Sequence, residues 1–148
     1  MKLIQFDAGH AIELVSQELN DDRNRPSFGL KAYEHLTNSD MCKSGLVNGH
    51  LIFSAGIVEL WPGVGEAWLL ASAQIEKHKV AVARSVKTHF AQIADAYDLH
   101  RVQAHMKSDW PELSRWAAFL NMQHEGTIRQ MTPLKEDYEL YAWVKNGN

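Results

Sequence analysis

Gly45-Leu46-Val47-Asn48-Gly49-His50-Leu51-Ile52-Phe53 is the stretch that decides the architecture of this chain. Two apolar runs flank Asn48-Gly49, a pair that tolerates positive φ at both central positions of a type I′ turn, so the segment predicts a β-hairpin. Its second arm runs on to Leu60-Trp61 and stops at Pro62-Gly63. A third strand, from Glu66 to Ser72, is apolar on both faces, as expected in the middle of a sheet.

Beyond the hairpin the period changes. Val82, Val86, Phe90, Ile93 and Tyr97 step by four, four, three and four, one apolar stripe on a helix over about residues 78–97. Arg101-Val102-Gln103-Ala104-His105-Met106 then alternates as a strand does. Asp109 is placed to cap a further helix, with Pro111 in its first turn and Glu112 as capping-box partner. Leu113, Trp116, Ala117 and Leu120 form the buried stripe of that helix. Two strands close the chain, near residues 125–131 and 138–144. Toward the N-terminus, a short strand precedes a helix with Ala11, Ile12, Leu14, Val15 and Leu19 on one side. Arg23-Asn24-Arg25-Pro26 is a turn, and a weaker helical segment reaches about Leu36. The predicted order is β-α-α-β-β-β-α-β-α-β-β. This α/β (more narrowly α+β) arrangement is neither doubly wound nor ferredoxin-like.

The 148 residues suit a single domain, 1–148, with no repeat or linker dividing them. A net charge of −3 gives no general attraction to phosphate backbones and argues against nucleic acid as the main ligand. No apolar run approaches the ~20 residues that cross a bilayer. Asp7 arrives too early for a signal peptide, and the lone Cys42 fits a reducing compartment, so a cytoplasmic protein is expected.

Over almost its whole length the chain resembles the GNAT superfamily of acetyl-CoA-dependent N-acetyltransferases, and within it small phage-encoded acetyltransferase-like proteins. The likeness rests on residues 48–57, Asn-Gly-His-Leu-Ile-Phe-Ser-Ala-Gly-Ile, and on residues 61–70, Trp-Pro-Gly-Val-Gly-Glu-Ala-Trp-Leu-Leu. Residues 115–126, Arg-Trp-Ala-Ala-Phe-Leu-Asn-Met-Gln-His-Glu-Gly, complete it. The resemblance implies a GNAT fold: a mixed, mostly antiparallel sheet of six to seven strands flanked by about four helices. It also implies acetyl-CoA as co-substrate and an amine acceptor, a small molecule or a protein, attacking directly in a ternary complex. The fourth and fifth strands would splay, with pantetheine added beside the fourth. Backbone N–H groups at Leu70, Ala71 and Ser72 would then polarise the thioester carbonyl.

Two positions depart from the family pattern. Glu76-Lys77-His78-Lys79-Val80-Ala81 stands where a Gln/Arg-x-x-Gly-x-Gly/Ala loop holds the CoA diphosphate, and only Ala81 matches. The resemblance makes Lys77, His78, Lys79, Val80, Ala81 and Val82 the cofactor-binding candidates, with the Lys79 ammonium on the diphosphate. The plain alternative is a helix start with solvated charges. Ala117 falls where a tyrosine often protonates the departing thiolate, so no tyrosine takes that role by match. Glu66, opening the third strand, matches a carboxylate that serves family members as general base, often through water. Glu59 is the second such candidate, and Ser108 matches a residue near the pantetheine arm. Their plain readings are a rim ion pair for Glu66 and shared helix capping for Ser108.

Other constellations carry less. Eight histidines show no metal-ligand spacing, and His100 and His105, an odd number apart, face opposite sides of a strand. Trp68 and Trp116 fall on core stripes, whereas Trp61 precedes a turn and could line a cleft. The leading expectation is an N-acyltransferase, in the host cytoplasm if phage-encoded, for which a homodimer is allowed. The rival is a catalytically silent GNAT-fold binding or virion-associated module of phage origin, favoured by the altered loop and the missing tyrosine.

Overall fold

Asn48 and Gly49 adopt φ of 51° and 79°, the type I′ geometry their chemistry favours, and join β2 (Cys42–Val47) to β3 (His50–Trp61). The computed structural model describes residues 1–18 and 40–146, with backbone alone over 15–18. Before the hairpin lie β1 (Lys2–Gln5) and α1 (Ala8–Glu18). After it come β4 (Val64–Ala71), a 3-10 turn (Ala73–Lys77), α2 (Lys79–Ala96), β5 (Arg101–Lys107), α3 (Leu113–Phe119), β6 (Gln123–Ile128) and β7 (Tyr138–Val144).

The strands form one seven-stranded sheet in the order β1-β2-β3-β4-β5-β7-β6. Every neighbouring pair is antiparallel except β4 and β5, which run parallel. This is the expected mixed sheet, with three α-helices among the described residues. The expected turn at Arg23–Pro26 and the weak helix reaching Leu36 lie outside them, as do Leu19 and the side chain of Val15.

Residues paired across a ladder share a face, so the register sorts the molecule into two sides. One face carries Ser44, Ser54 and Trp68, and α1 covers it there. Phe6 meets Trp68 edge-on at 5.1 Å, and His10 Nδ1 lies 2.9 Å from the Ser44 hydroxyl. Ser44 in turn bonds the buried Ser54 hydroxyl at 2.7 Å. The other face carries Phe53, Ala71 and Trp143 and packs on α2, whose Val82 is fully buried and whose Phe90 meets Trp143 edge-on at 5.7 Å. Gly56 marks the closest backbone approach on the first face: a Cβ there would lie 2.5 Å from Cys42 Sγ and 2.8 Å from the Met41 carbonyl oxygen.

Two local expectations fail. Helix α1 buries Ala11 and Leu14 but leaves Ile12 49% exposed; at about 100° per residue, position 12 stands on the far side from position 14. Asp109 does not cap α3: the helix begins at Leu113, with Glu112 at the N-cap making no side-chain cap bond. The Glu112 carboxylate is drawn instead to Lys79 on α2.

Candidate functional site

The β4–β5 ladder consists of Val64↔Arg101, Gly65↔Val102 and Glu66↔Gln103, and there it ends. Beyond it the two strands part while β4 stays paired to β3 as far as Ala71. Backbone groups alternate sides along a strand. Ser72, in extended conformation, gives its N–H to the Ile52 carbonyl of β3 at 2.9 Å. The N–H groups of Leu70 and Trp68 therefore also point to β3, those of Leu69 and Ala71 point to the opposite side, and that of Ala67 is used by the last ladder pair with Gln103. Of the three amides expected at the thioester, those of Leu70 and Ser72 point to β3 and that of Ala71 points away from it. The Ser72 hydroxyl is 2% exposed and finds no partner among the described residues.

Glu66 stands at the apex of this opening, on the same face as Gln103 and His105. Its Oε1 contacts His105 Nδ1, and its Oε2 accepts the Gln103 side-chain N–H at 2.8 Å. The Gln103 carbonyl oxygen is fixed from behind by Arg101 Nε at 3.1 Å and Nη2 at 3.0 Å. Arg101 also forks onto Glu125 of β6, at 3.0 and 2.7 Å. That bidentate contact holds the Glu125 carboxyl below the usual carboxylate range and raises the arginine in return. Five side chains thus run from β6 to the apex, with His105 at their end, 25% exposed beside a Glu66 that is 23% exposed.

At the start of α2 the expected diphosphate contact meets a competitor. Lys79 Nζ pairs with Glu76 at 2.7 Å and with Glu112, and these two carboxylates raise its affinity for its proton. Since α2 follows β4 and α3 follows β5, the Lys79–Glu112 pair bridges the two lips of the opening. Lys77, Val80 and Ala81 are exposed and His78 is half-exposed at the helix N-cap. The Val82 side chain is turned fully into the core against Phe53 and Ala71.

The remaining candidates separate. Glu59 lies opposite Gly65 in the ladder and Glu66 opposite Val58, so the two carboxylates project from opposite faces of the sheet. The Ser108 hydroxyl donates to Glu139 of β7, not to a helix end. Glu139 also accepts from Thr127 at 2.6 Å and contacts His124 Nε2 at 2.8 Å, and these donors hold its carboxyl down to about 2. Burial pushes the Cys42 thiol up to about 11, against opposing contributions from the Ile57 amide and the Trp68 indole, which disfavours the thiolate that a nucleophile needs. His100 precedes β5, and Trp61 is 63% exposed at the end of β3. Among the described residues no group of three His, Cys, Asp or Glu side chains could hold a metal ion, and no helix is long and apolar enough to cross a membrane.

Sequence reasoning did not find His105, Gln103, Arg101 or Glu125. A signal existed, because Arg101-x-Gln103-x-His105 puts three polar side chains on one face of a strand.

No protein-family model matches the chain, and no curated protein matches it. Solved structures do. Ard1 from Thermoplasma volcanium superposes with a TM-score of 0.78 at 8% identity, covering 97% of both chains. A GNAT-family acetyltransferase from Bacillus anthracis gives 0.71 at 14% identity, over 97% of this chain and 94% of its own. A spermidine N-acetyltransferase chimera of Vibrio cholerae SpeG and hSSAT gives 0.66 at 11% identity, over 99% and 98%. At these identities the likeness establishes the fold: the chain has the GNAT fold.

Proposed function

We propose that the chain binds acetyl-CoA in the opening between β4 and β5 and transfers the acetyl group to an amine by direct attack. The observation that carries this reading is the inner edge of β4 past its last pair with β5, where the Leu69 N–H points away from β3. An extended chain containing amides, such as pantetheine, can pair there as a strand would. Its thioester carbonyl would then meet the Leu69 N–H, which polarises it, near the polar apex at Glu66. The structural neighbours named as acetyltransferases support the same chemistry.

The fit to the rest of CoA is partial. The two carboxylates on Lys79 oppose a diphosphate at the start of α2. That observation favours a second reading, a catalytically silent GNAT-fold binding module, including one of phage origin. A titration decides between the two. At about 100 times its dissociation constant, acetyl-CoA should stabilise the fold by about 2.7 kcal/mol, or several degrees of melting temperature. No shift at millimolar acetyl-CoA would leave the silent module as the reading that stands.

A further inference from the structure

We infer that the proton acceptor of this site is His105, with Glu66 as its positioning residue. The inference rests on the transferase reading above and assigns the roles within it.

Both oxygens of Glu66 are engaged, Oε1 with His105 Nδ1 and Oε2 with the Gln103 amide. A carboxylate so placed accepts a proton on Nδ1, and in the neutral ring this leaves Nε2 with its lone pair free. Nε2 has no hydrogen-bond partner among the described residues. His105 lies on β5 two residues past the last β4–β5 pair, at the level where the strands have parted. Its neighbour on β7 is the apolar Leu140, which offers the ring no competing polar contact. Gln103 cannot turn over freely, because its oxygen holds two N–H groups of Arg101. The orientation of Glu66, and through it the ring, is therefore set from β6.

An amine nitrogen needs a lone pair to attack a thioester, so an ammonium must first give one proton to Nε2, which passes it to solvent. The nitrogen lone pair then forms the C–N bond, the carbonyl electrons move onto oxygen, and they return as the C–S bond breaks. The nitrogen's second proton goes to Nε2 and on to the departing thiolate, which leaves as the thiol. The Glu66 carboxylate balances the imidazolium formed at each stage. This route supplies the thiolate's proton without a tyrosine at position 117.

The test uses two small amines and acetyl-CoA, following release of free thiol. Propylamine is an ammonium ion at neutral pH, whereas methoxyamine is already neutral and needs no base before attack. His105→Gln should lower transfer to propylamine by about 10²-fold or more, lower transfer to methoxyamine far less, and leave acetyl-CoA binding unchanged. Glu66→Gln should lower propylamine transfer by about tenfold, less than the histidine change, because the ring survives. Nitrogen NMR of the wild type should place the neutral-ring proton of His105 on Nδ1, and this reading survives if His105→Gln fails to fold. Equal losses with both amines, a larger loss in Glu66→Gln than in His105→Gln, or a neutral ring protonated on Nε2 would each overturn the assignment. So would a wild type that binds acetyl-CoA yet acetylates neither amine. A wild type that does not bind acetyl-CoA would sink the underlying transferase reading instead, and the dyad with it.

Discussion

Glu66 and Glu139 project from opposite faces of the same sheet, each touches one histidine, and they differ in what surrounds the contact. Glu139 collects Ser108, Thr127 and His124, and its carboxyl is held down to about 2. Glu66 receives one amide and one imidazole, and that imidazole has a second nitrogen with no hydrogen-bond partner among the described residues. A carboxylate saturated by donors is a clasp: it joins β6, β7 and the loop after β5. A carboxylate that aims a ring at open space can influence a proton elsewhere. What the contrast teaches is that the number of donors around an acid identifies a fastening, and the direction of the last unsatisfied atom identifies a site.

Exchanging the two acids would break this contrast most visibly. Glu139→Gln should leave acetyl transfer to propylamine within about threefold of wild type, against the loss of about 10²-fold for His105→Gln. Comparable losses in the two variants, measured as thiol release, would abolish the distinction. A smaller effect lies in acid stability. The folded carboxyl of Glu139 is lowered, so its contribution is complete above the usual carboxylate range and is lost as pH falls from about 4.5 toward about 2. Urea midpoints of wild type should therefore exceed those of Glu139→Gln at pH 5, and the gap should close on acidification. A gap that does not change with pH would show that the clasp adds no charge-dependent stability.

The smallest effect concerns a third acid, Glu112, which holds Lys79 across the lips of the opening. Glu112→Gln leaves the ammonium paired with Glu76 alone and removes a negative charge where a diphosphate would lie. Acetyl-CoA should bind a fewfold more tightly, an exposed ion pair being worth about 1 kcal/mol or less, with the gain fading at high salt. Titrations at two salt concentrations measure it, and weaker binding by the variant would remove Lys79 from any phosphate-binding role.

The parts of the molecule legible in the sequence are those built from neighbours. Asn48-Gly49 dictates its own turn, and the Val82-to-Tyr97 stripe needs only the helical period. Asn121 takes the left-handed φ of 57° at the end of α3 that its side chain tolerates. The opening between β4 and β5 was expected from resemblance, but which amides face it depends on one bond, Ser72 to Ile52, between residues twenty positions apart. The side-chain partners were out of reach for the same reason. Lys79 meets Glu112 from 33 residues away, and Glu66 meets His105 from 39. No periodicity encodes such pairs, because they follow from strand order, and a chain written β5-β6-β7 is folded β5-β7-β6. In the sequence His105 has only His100 as a near histidine, whereas its partner Glu66 lies on another strand.

The parting of β4 and β5 also bears on solubility. An unpaired strand edge at the margin of a sheet invites a neighbouring molecule to add its own strand, and the addition can repeat without limit. Here the unpaired length lies between two strands of one chain, joined at their base by three residue pairs. A guest that enters is met on its far side by β5, so growth ends with one occupant. The same geometry that makes the backbone of β4 available to a single slender ligand thus withholds it from the association that an exposed edge of equal length would promote.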